Sequence, residues 1–284
     1  MSITEQKVMI TEQKVMIAGD THGNMMHCMD LITEAHGFDA DLIIVVGDFG
    51  YWEHEEAGGL FLDVLSDGLS NAGIEMWFLD GNHDNHPLLW EKYGKRFTRL
   101  RPHLWYCPRG FATTIGTTPV GFMGGAYSID AQWRRDRMAK GKPDMWWETE
   151  MITDEEVEEA IRSFTILPPK VLFAHDAPEG APMHELGTVK LDVMREALAR
   201  QNREQLSRVV EAAQPDIIFH GHYHKALEYK VTLKSGKIVP CVSIGPDTDS
   251  MRMRGEYLRD PSGKLKAGRG VQVYADSRVL LTID

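Results

Sequence analysis

Cysteine is scarce in this chain, with only three residues among 284. Cys28, Cys107 and Cys241 lie far apart in the sequence and form no CxxC pair. An odd number of widely spaced cysteines argues against the disulfide framework that small secreted proteins use. The pattern is typical of reduced thiols in a cytoplasmic protein.

Long hydrophobic runs and a secretory leader are also missing. No stretch approaches the roughly 18 apolar residues that indicate a transmembrane helix. The first ten residues, MSITEQKVMI, lack the basic segment followed by an apolar segment that marks a signal peptide. We therefore expect a cytoplasmic protein that has no membrane partner.

Positive charge is outnumbered, because 31 Lys and Arg residues face 42 Asp and Glu residues, for a formal net charge of −11. Such an acidic chain is a poor general binder of nucleic acid. An enzyme that acts on phosphate would need local positive charge here, from a metal ion or a confined basic patch.

The chain does contain five short apolar runs that end in polar residues. They span residues 14–20, 41–48, 74–84, 170–176 and 215–224. Each run is typical of a buried strand. Apolar residues at helical spacing lie between these runs, over residues 24–36, 59–72, 153–164 and 188–213. This alternation predicts an α/β layered protein.

We interpret residues 1–284 as a single domain with three notable parts. The heptapeptide ITEQKVM occurs at 3–9 and again at 10–16, so residues 1–13 are a duplicated N-terminal segment without an expected function. Residues 126–165 are a possible cap insertion. Residues 226–284 contain a predicted hairpin and further strand-like runs, and so form a β-rich C-terminal part.

Three histidines alternate in the stretch IFHGHYH, at His220, His222 and His224. In an ideal strand, this alternation would point all three imidazoles to one side and offer a three-histidine zinc site. Gly221 is expected to interrupt the strand, however, so the alternation need not hold. The three histidines therefore do not by themselves define the site.

Potential metal ligands follow every one of the five strand runs. They are Asp20 and His22, Asp48, Asn82 with His83 and Asp84, His175, and His222 with His224. In open α/β sheets, ligands bind beyond the carboxyl ends of the strands, so these side chains are expected at one edge. Oxygen and imidazole donors without thiolate suit Mn, Fe, Zn, Co or Ni. One such residue alone would more often be a cap or a solvated group.

The blocks GDTHGN, GDFG, GNHD, AHD and GHYH follow the order D-x-H, G-D, G-N-H-D/E, H and G-H-x-H. In this respect the sequence resembles the calcineurin-like metallophosphoesterase family, over residues 20–224. The resemblance implies a four-layer α/β/β/α sandwich, here with a C-terminal β extension. It also implies a hydrolase with two metal ions. Of the candidate metals named above, we favour manganese.

The resemblance also assigns a role to each site residue. It implies one metal held by Asp20, His22 and His224, a second held by Asn82, His175 and His222, and Asp48 as the bridge between them. It further implies that His83 is the general acid and that Asp84 orients its imidazole. A metal-bridging hydroxide would then attack phosphorus while two metals clamp the phosphoryl oxygens. His220 has no ligand role and is expected to be a hydrogen-bonded structural histidine.

Two departures from the protein phosphatase branch of the family bear on the substrate. GDFGYWEH replaces the pattern G-D-x-V-D-R-G, and Asp80 precedes Gly81 where that branch places arginine. Residues 126–147 combine basic and tryptophan residues, which suit a phosphorylated, base-bearing ligand. Within them, Arg134 is our choice for a phosphate contact. The alternative is a surface insertion whose tryptophans pack on the sheet edge.

The sequence thus favours a metal-dependent phosphoesterase that hydrolyses phosphodiester bonds, in a cyclic nucleotide or a nucleic-acid end. A phosphomonoesterase acting on phosphoprotein or nucleotide would use the same residues. A non-catalytic scaffold of the same fold is a third hypothesis. Such a scaffold should lack a ligand or the general acid, and every one of these residues is present here.

Overall fold

A computed structural model describes residues 13–142, 146–187, 190–245, 271–275 and 278–283, with only the backbone for 271–275. Residues 1–12, which hold most of the predicted duplication, lie outside the described residues. The second copy of the repeat continues directly into the first strand.

Thirteen strands and six helices occur along the described chain. The strands are β1 (Gln13–Ala18), β2 (Leu42–Val46), β3 (Glu75–Leu79), β4 (Thr98–Arg101), β5 (Leu104–Tyr106), β6 (Phe111–Ile115), β7 (Thr118–Met123), β8 (Val171–Ala174), β9 (Ile217–His220), β10 (Leu227–Thr232), β11 (Ile238–Ser243), β12 (Val271–Ala275) and β13 (Arg278–Ile283). The helices are α1 (Met25–Gly37), α2 (Glu56–Ala72), α3 (His86–Tyr93), α4 (Ala131–Met138), α5 (Asp154–Ile166) and α6 (Val193–Ala213).

The strands form two mixed sheets that pack face to face between helices. One sheet has the order β12-β13-β1-β2-β3-β5-β4, and the other has the order β10-β11-β9-β8-β7-β6. Helices α1 and α2 cover the first sheet, and α5 and α6 cover the second. The predicted four-layer α/β/β/α sandwich is confirmed.

The alternation of side chains along β1 shows how the sequence builds these layers. Met16 and Ala18 pack into the cluster beneath α1 and α2, whereas Val15 and Ile17 face the second sheet. Successive side chains of a strand point to opposite faces, so an all-apolar strand can serve two cores at once. Strands β2, β8 and β9 are likewise buried along their whole length.

The helix boundaries agree with the local signals in the sequence. Thr153 and Glu156 form a capping box at the start of α5. Helix α2 ends at Gly73, which adopts the left-handed conformation that glycine tolerates best. Helix α6 begins at Val193, later than predicted, because the Asp192 side chain caps it by accepting the amide of Arg195.

The C-terminal part is β-rich, as predicted. Strands β10 and β11 form the expected antiparallel hairpin, and β13 pairs with the first strand of the other sheet. Of the possible cap insertion at 126–165, the structure places the second half in the outer helical layer, because Val157, Ala160 and Phe164 of α5 are buried there. Among the described residues, no helix has both the length and the apolarity needed to cross a membrane.

A buried arginine ties the segment before α5 to the first sheet. The Arg109 side chain is 2% exposed, and its Nη2 lies 2.8 Å from a carboxylate oxygen of Asp80. Its Nη1 donates to Glu156 Oε2 at 2.9 Å and to the Met151 carbonyl at 2.9 Å. Asp80, where arginine stands in the phosphatase branch, is thus part of a structural ion cluster.

We expect Arg109→Met to lower the free energy of unfolding by about 3–5 kcal/mol, because it leaves buried carboxylates without their cation. Urea denaturation followed by circular dichroism measures this change. Arg200→Met is the matched control, since Arg200 lies 58% exposed and pairs with Glu204 on the surface. That exposed pair should contribute less than about 1 kcal/mol, and equal losses in the two variants would contradict the buried role.

Candidate metal centre and its cleft

Two buried carboxylates lie at the centre of the site, just beyond the ends of β1 and β2. Asp20 and Asp48 are 0% and 1% exposed. Both oxygens of Asp20 accept the backbone amide of His222 at 3.0 Å. Asp48 Oδ1 accepts the backbone amide of His83 at 2.8 Å. Each carboxylate is therefore bound to a loop that carries other predicted ligands.

Two glycines make this close approach possible. A Cβ atom on Gly221 would lie 2.6 Å from Asp20 Oδ1, and one on Gly81 would lie 2.1 Å from Asp48 Oδ1. Neither distance is compatible with a side chain. At these two positions, glycine is needed to let the carboxylates reach the neighbouring loop.

Four predicted ligands adopt positive φ angles that side chains usually avoid. The angles are +46° at His22, +46° at Asp48, +71° at His222 and +52° at His224. Such conformations cost of order 1–3 kcal/mol each and cluster at functional sites, where the surrounding structure imposes them. The strain thus coincides with the residues that the sequence motifs selected.

The imidazole nitrogens converge on the same space as the carboxylates. His22 Nε2 lies 3.1 Å from His224 Nε2, and the ligand atoms of these two residues and Asp48 all lie within 4.8 Å of one another. The ligand atoms of Asp20, Asp48 and His175 form a second such group. Asp48 belongs to both groups, whereas Asp20, predicted to share a metal with His22 and His224, here lies in the group with His175.

His175 is held in the orientation that a ligand needs. Its Nδ1 lies 2.9 Å from the Val46 carbonyl, which can only accept, so Nδ1 carries a proton. Its Nε2 faces Asn82 Oδ1 at 3.0 Å and Asp48 Oδ1 at 3.4 Å. The His222 ring packs against it, with the two ring centroids 5.1 Å apart. The ligand atoms of six predicted ligands therefore lie close together, and the seventh, His222, joins them through its ring contact with His175.

The two buried carboxylates of this cluster favour the binding of a cation. Burial lowers the pKa of His175, but Asp48 and Asp20 outweigh that effect and raise it to about 10. Burial raises the pKa of Asp20, which has another carboxylate beside it. For Asp48, burial raises the pKa, yet His83 and His175 bring it well below its usual value. Two buried carboxylates with convergent imidazoles and no thiolate fit divalent metal ions.

His83 lies at the rim of this cluster. Its Nε2 is 3.9 Å from Asp48 Oδ2, 3.3 Å from Asn82 Nδ2 and 3.4 Å from Arg134 Nη2. Burial lowers the pKa of His83 to about 4, although the Asp48 charge raises it. With this pKa, the ring is neutral at pH 7.

The expectation that Asp84 orients the His83 imidazole is wrong. The carboxylate of Asp84 instead accepts the backbone amides of Phe49, Gly50, Tyr51 and Gly81. The Nδ1 atom of His83, which was expected to bond to the Asp84 carboxylate, has no hydrogen-bond partner among the described residues. Asp84 therefore holds two strand-end loops together, because four amides offer a buried carboxylate better solvation than one imidazole.

A cleft of about 420 Å³ opens beside the metal centre. Its polar end contains Asp48, Asn82, His83, His222 and His224. Its remaining wall includes Tyr127, Ile129, Met183, Leu186 and Leu191. The predicted cap segment contributes part of this wall, and the loop after β8 contributes another part.

Arg134, the predicted phosphate contact, lines this cleft. Its Nε donates to both oxygens of Asp130 at 2.9 Å. The tryptophans of residues 126–147 were predicted either to contact a ligand or to pack against the protein, and they differ in exposure. Trp133 is 53% exposed with Arg137 over its ring, whereas Trp147 packs edge-on against the buried His86.

His220 is a structural histidine, as predicted. It is fully buried, and its Nε2 lies 2.7 Å from the Tyr229 hydroxyl. Sequence reasoning missed other polar residues around the ligands, namely Ser128, Glu150, Asp176, Asn202 and Tyr223. Tyr223 is the nearest of these in sequence, since it lies between two ligands, and it donates to Asp176 at 2.5 Å.

Comparisons with known proteins agree with this geometry. A family model described as calcineurin-like phosphoesterase matches residues 13–226. A comparison with curated proteins finds no significant match.

Two solved structures share the fold at low sequence identity. A protein of Thermus thermophilus, TT1561, has a TM-score of 0.54 and 14% identity, over 84% of this chain and 92% of that chain. A dimetal phosphatase from Danio rerio has a TM-score of 0.51 and 12% identity, over 83% of this chain and 88% of that chain. The family model spans most of the chain, and this chain therefore belongs to the calcineurin-like phosphoesterase family of metal-dependent hydrolases.

Proposed function

We propose that this protein hydrolyses phosphodiesters, with two divalent metal ions held by the strand-end cluster. The observation that carries the proposal is the convergence of two groups of ligand atoms that share Asp48, one with His22 and His224 and one with Asp20 and His175. Asn82 Oδ1 lies 3.0 Å from His175 Nε2, and the His222 ring packs against His175. Asp20, His22 and His224 would hold one ion, and Asn82, His175 and His222 the other. The fold is shared with a zebrafish protein described as a dimetal phosphatase, which supports the two-metal arrangement.

The metal ions, when bound, would supply Lewis-acid activation of water and neutralise charge on the phosphoryl oxygens. The protein supplies the rest of the chemistry. The backbone amides of His83 and His222 hold the two carboxylates in place, so the ligands need little rearrangement. Such preorganisation is the main way in which a site of this kind lowers the barrier. We favour manganese among the metals that this donor set suits.

His83 is the proposed general acid for the leaving group. A phosphate anion bound beside its ring would favour the imidazolium form, because opposite charge within about 4–6 Å raises the pKa of histidine. The Nε2 atom lies 3.9 Å from Asp48 Oδ2, and His83 lines the cleft, so the proton that converts the neutral ring to imidazolium would be on the substrate side. The pKa of His83, which is low in the free protein, would therefore rise when the phosphate anion binds.

The charges of the cleft favour a diester over a monoester. Its two arginines both face carboxylates, with Arg134 bound to Asp130 and Arg203 bound to Glu196 at 2.9 Å. Asp176 adds a further buried carboxylate to the wall. A monoanionic diester is easier to accommodate in this surrounding than a dianionic monoester.

The apolar side of the cleft supports an organic group as the second half of the substrate. Tyr127, Ile129, Met183 and Leu186 form a wall next to the metal centre. Aromatic and aliphatic walls of this kind bind planar rings, and the volume of the cleft falls within the range of small-molecule sites. A cyclic nucleotide or a nucleic-acid end fits this description. The three cysteines are all buried and none is in a disulfide, which agrees with the cytoplasm as the proposed location.

We expect Mn²⁺-dependent cleavage of bis-p-nitrophenyl phosphate to exceed cleavage of p-nitrophenyl phosphate, and a chelator to abolish it. Asp48→Asn should lower kcat/KM by more than the roughly 10–100-fold that loss of a supporting residue costs, since Asp48 serves both ligand groups. Steady-state kinetics measure both effects. Asp216→Asn, an exposed carboxylate paired with Lys237, is the control and should change neither rate. A faster monoester reaction would redirect the proposal to phosphomonoesters, and no turnover of either ester would favour the scaffold.

We expect His83→Ala to lower kcat roughly 10²–10⁴-fold on a diester with an alkoxide leaving group, because that oxygen must be protonated as it departs. The same variant should lose far less on bis-p-nitrophenyl phosphate, since p-nitrophenolate leaves without a proton. His184→Ala, an exposed histidine of a loop beside the cleft, serves as the control. Equal losses on the two diesters would show that His83 is not the acid.

We expect Arg134→Ala to raise the KM for the diester about tenfold with a small change in kcat, because a charged hydrogen bond to substrate is worth roughly 1.5–3 kcal/mol before its pairing with Asp130 is subtracted. Arg135→Ala is the matched control. Arg135 is exposed on the same helix, stacks over Trp146 and does not line the cleft. An equal rise in KM in both variants would contradict a specific phosphate contact.

A further inference from the structure

The side-chain amide of Asn82 has a chemically unequal pair of ends, and only one of them can bind a metal. Its Oδ1 lies 3.0 Å from His175 Nε2, within the cluster of ligands. Its Nδ2 donates to Ser128 Oγ at 2.9 Å. The amide nitrogen has no lone pair to offer a cation, whereas the oxygen has two. A rotation of this amide by half a turn would therefore remove a ligand without changing its shape.

Ser128 and Glu150 determine which way the amide points. The Ser128 hydroxyl donates to Glu150 Oε2 at 2.6 Å, and the Ser128 backbone amide donates to Glu150 Oε1 at 3.0 Å. A serine hydroxyl has a single proton, and here it is directed to the carboxylate. Towards Asn82, the hydroxyl oxygen can therefore only accept, which requires Nδ2 on that side.

The surroundings leave few other partners for these groups. Asn82 and Ser128 are each 1% exposed, and Glu150 is 2% exposed. Buried polar groups are almost always hydrogen-bonded, and these three side chains serve as partners for one another. His83 Nε2, at 3.3 Å from Asn82 Nδ2, is a second and longer acceptor on the same side.

Glu150 is itself held by the fold. It lies in a short 3-10 turn at Glu148–Glu150, whose last carbonyl accepts from the Arg109 guanidinium at 3.0 Å and from the Ala126 amide at 3.1 Å. The possible cap insertion at 126–165 thus also contacts the metal ligand Asn82, through Ser128 and Glu150.

We propose that Ser128 and Glu150 are positioning residues that fix the Asn82 amide with its oxygen towards the metal centre. This inference rests on the proposed function, because metal binding by Asn82 is part of it. Partners of this kind, which orient a ligand without touching the metal, typically contribute 10–100-fold to metal affinity. Neither residue belongs to the sequence motifs of the site.

The test is a double-mutant cycle between Ser128 and Asn82, read by isothermal titration with Mn²⁺ and without substrate. Ser128→Ala should weaken Mn²⁺ binding at one site about 10–100-fold in the natural background. In an Asn82→Asp background, the two carboxylate oxygens are equivalent and no orientation needs to be set. There, Ser128→Ala should change the affinity by no more than about twofold, the scatter of independent sites.

Glu150→Gln adds a second, independent variant of nearly unchanged shape. The Gln oxygen would take the place that accepts the Ser128 amide, so its NH₂ group would donate to the hydroxyl. The hydroxyl proton would then turn towards Asn82 and favour the reversed amide. We expect Mn²⁺ affinity to fall in the same direction as in Ser128→Ala.

Ser66→Ala is the matched control, because it also removes a buried hydroxyl, one that donates to the Pro102 carbonyl at 2.7 Å far from the ligands. It should leave Mn²⁺ affinity unchanged, and circular dichroism verifies folding of every variant. Equal losses from Ser128→Ala in both backgrounds, or no loss in either, would overturn the positioning role while the metal site stands. If the natural protein bound no Mn²⁺ at all, the proposed function itself would fail.

Discussion

The whole site depends on the burial of two carboxylates next to each other at the ends of parallel strands. Oxygen atoms of Asp20 and Asp48 lie within 4.8 Å, where two like charges repel by about 3.5 kcal/mol at an effective dielectric constant of about 20. The two carboxylates lie this close because the parallel strands β1 and β2 are neighbours and end side by side. Positive charge offsets this repulsion: burial lowers the pKa of His175, but the two carboxylates on either side of it raise that pKa to about 10. A bound cation would take over that task.

The surrounding backbone is shaped by the same constraint. Gly81 and Gly221 leave room for the two carboxylates, and ligands such as His22 and His224 occupy strained positive-φ conformations. These features destabilise the fold locally and are held by the regular sheets beneath. The site thus stands on rigid elements, which is what a precise arrangement of ligands requires.

Much of this could be predicted from the sequence, because strand ends and motifs are local features. Asp20, Asp48 and His175 each follow an apolar run, and parallel strands bring such ends together. The partners of these ligands could not be predicted in the same way. Ser128 and Glu150 lie 22 residues apart, and Ser128 is 46 residues from Asn82, so no local pattern connects them.

The role of Asp84 shows the same limit. The sequence places Asp84 next to His83, yet neighbours in a tight turn point in different directions. Four amides from two loops converge on the Asp84 carboxylate, and three of them come from residues more than 30 positions away. These amides are brought together only by folding, and they take up the hydrogen-bonding capacity of the Asp84 carboxylate in place of the His83 imidazole.

The most direct measurement is a crystal structure of the protein soaked in Mn²⁺, with anomalous diffraction data collected at the manganese edge. We expect two anomalous peaks about 3.5–4 Å apart, one on each side of Asp48. One should contact His22 and His224, and the other should contact the Asn82 oxygen and His175. A single peak, or peaks away from Asp48, would contradict the two-metal centre on which the proposed chemistry depends.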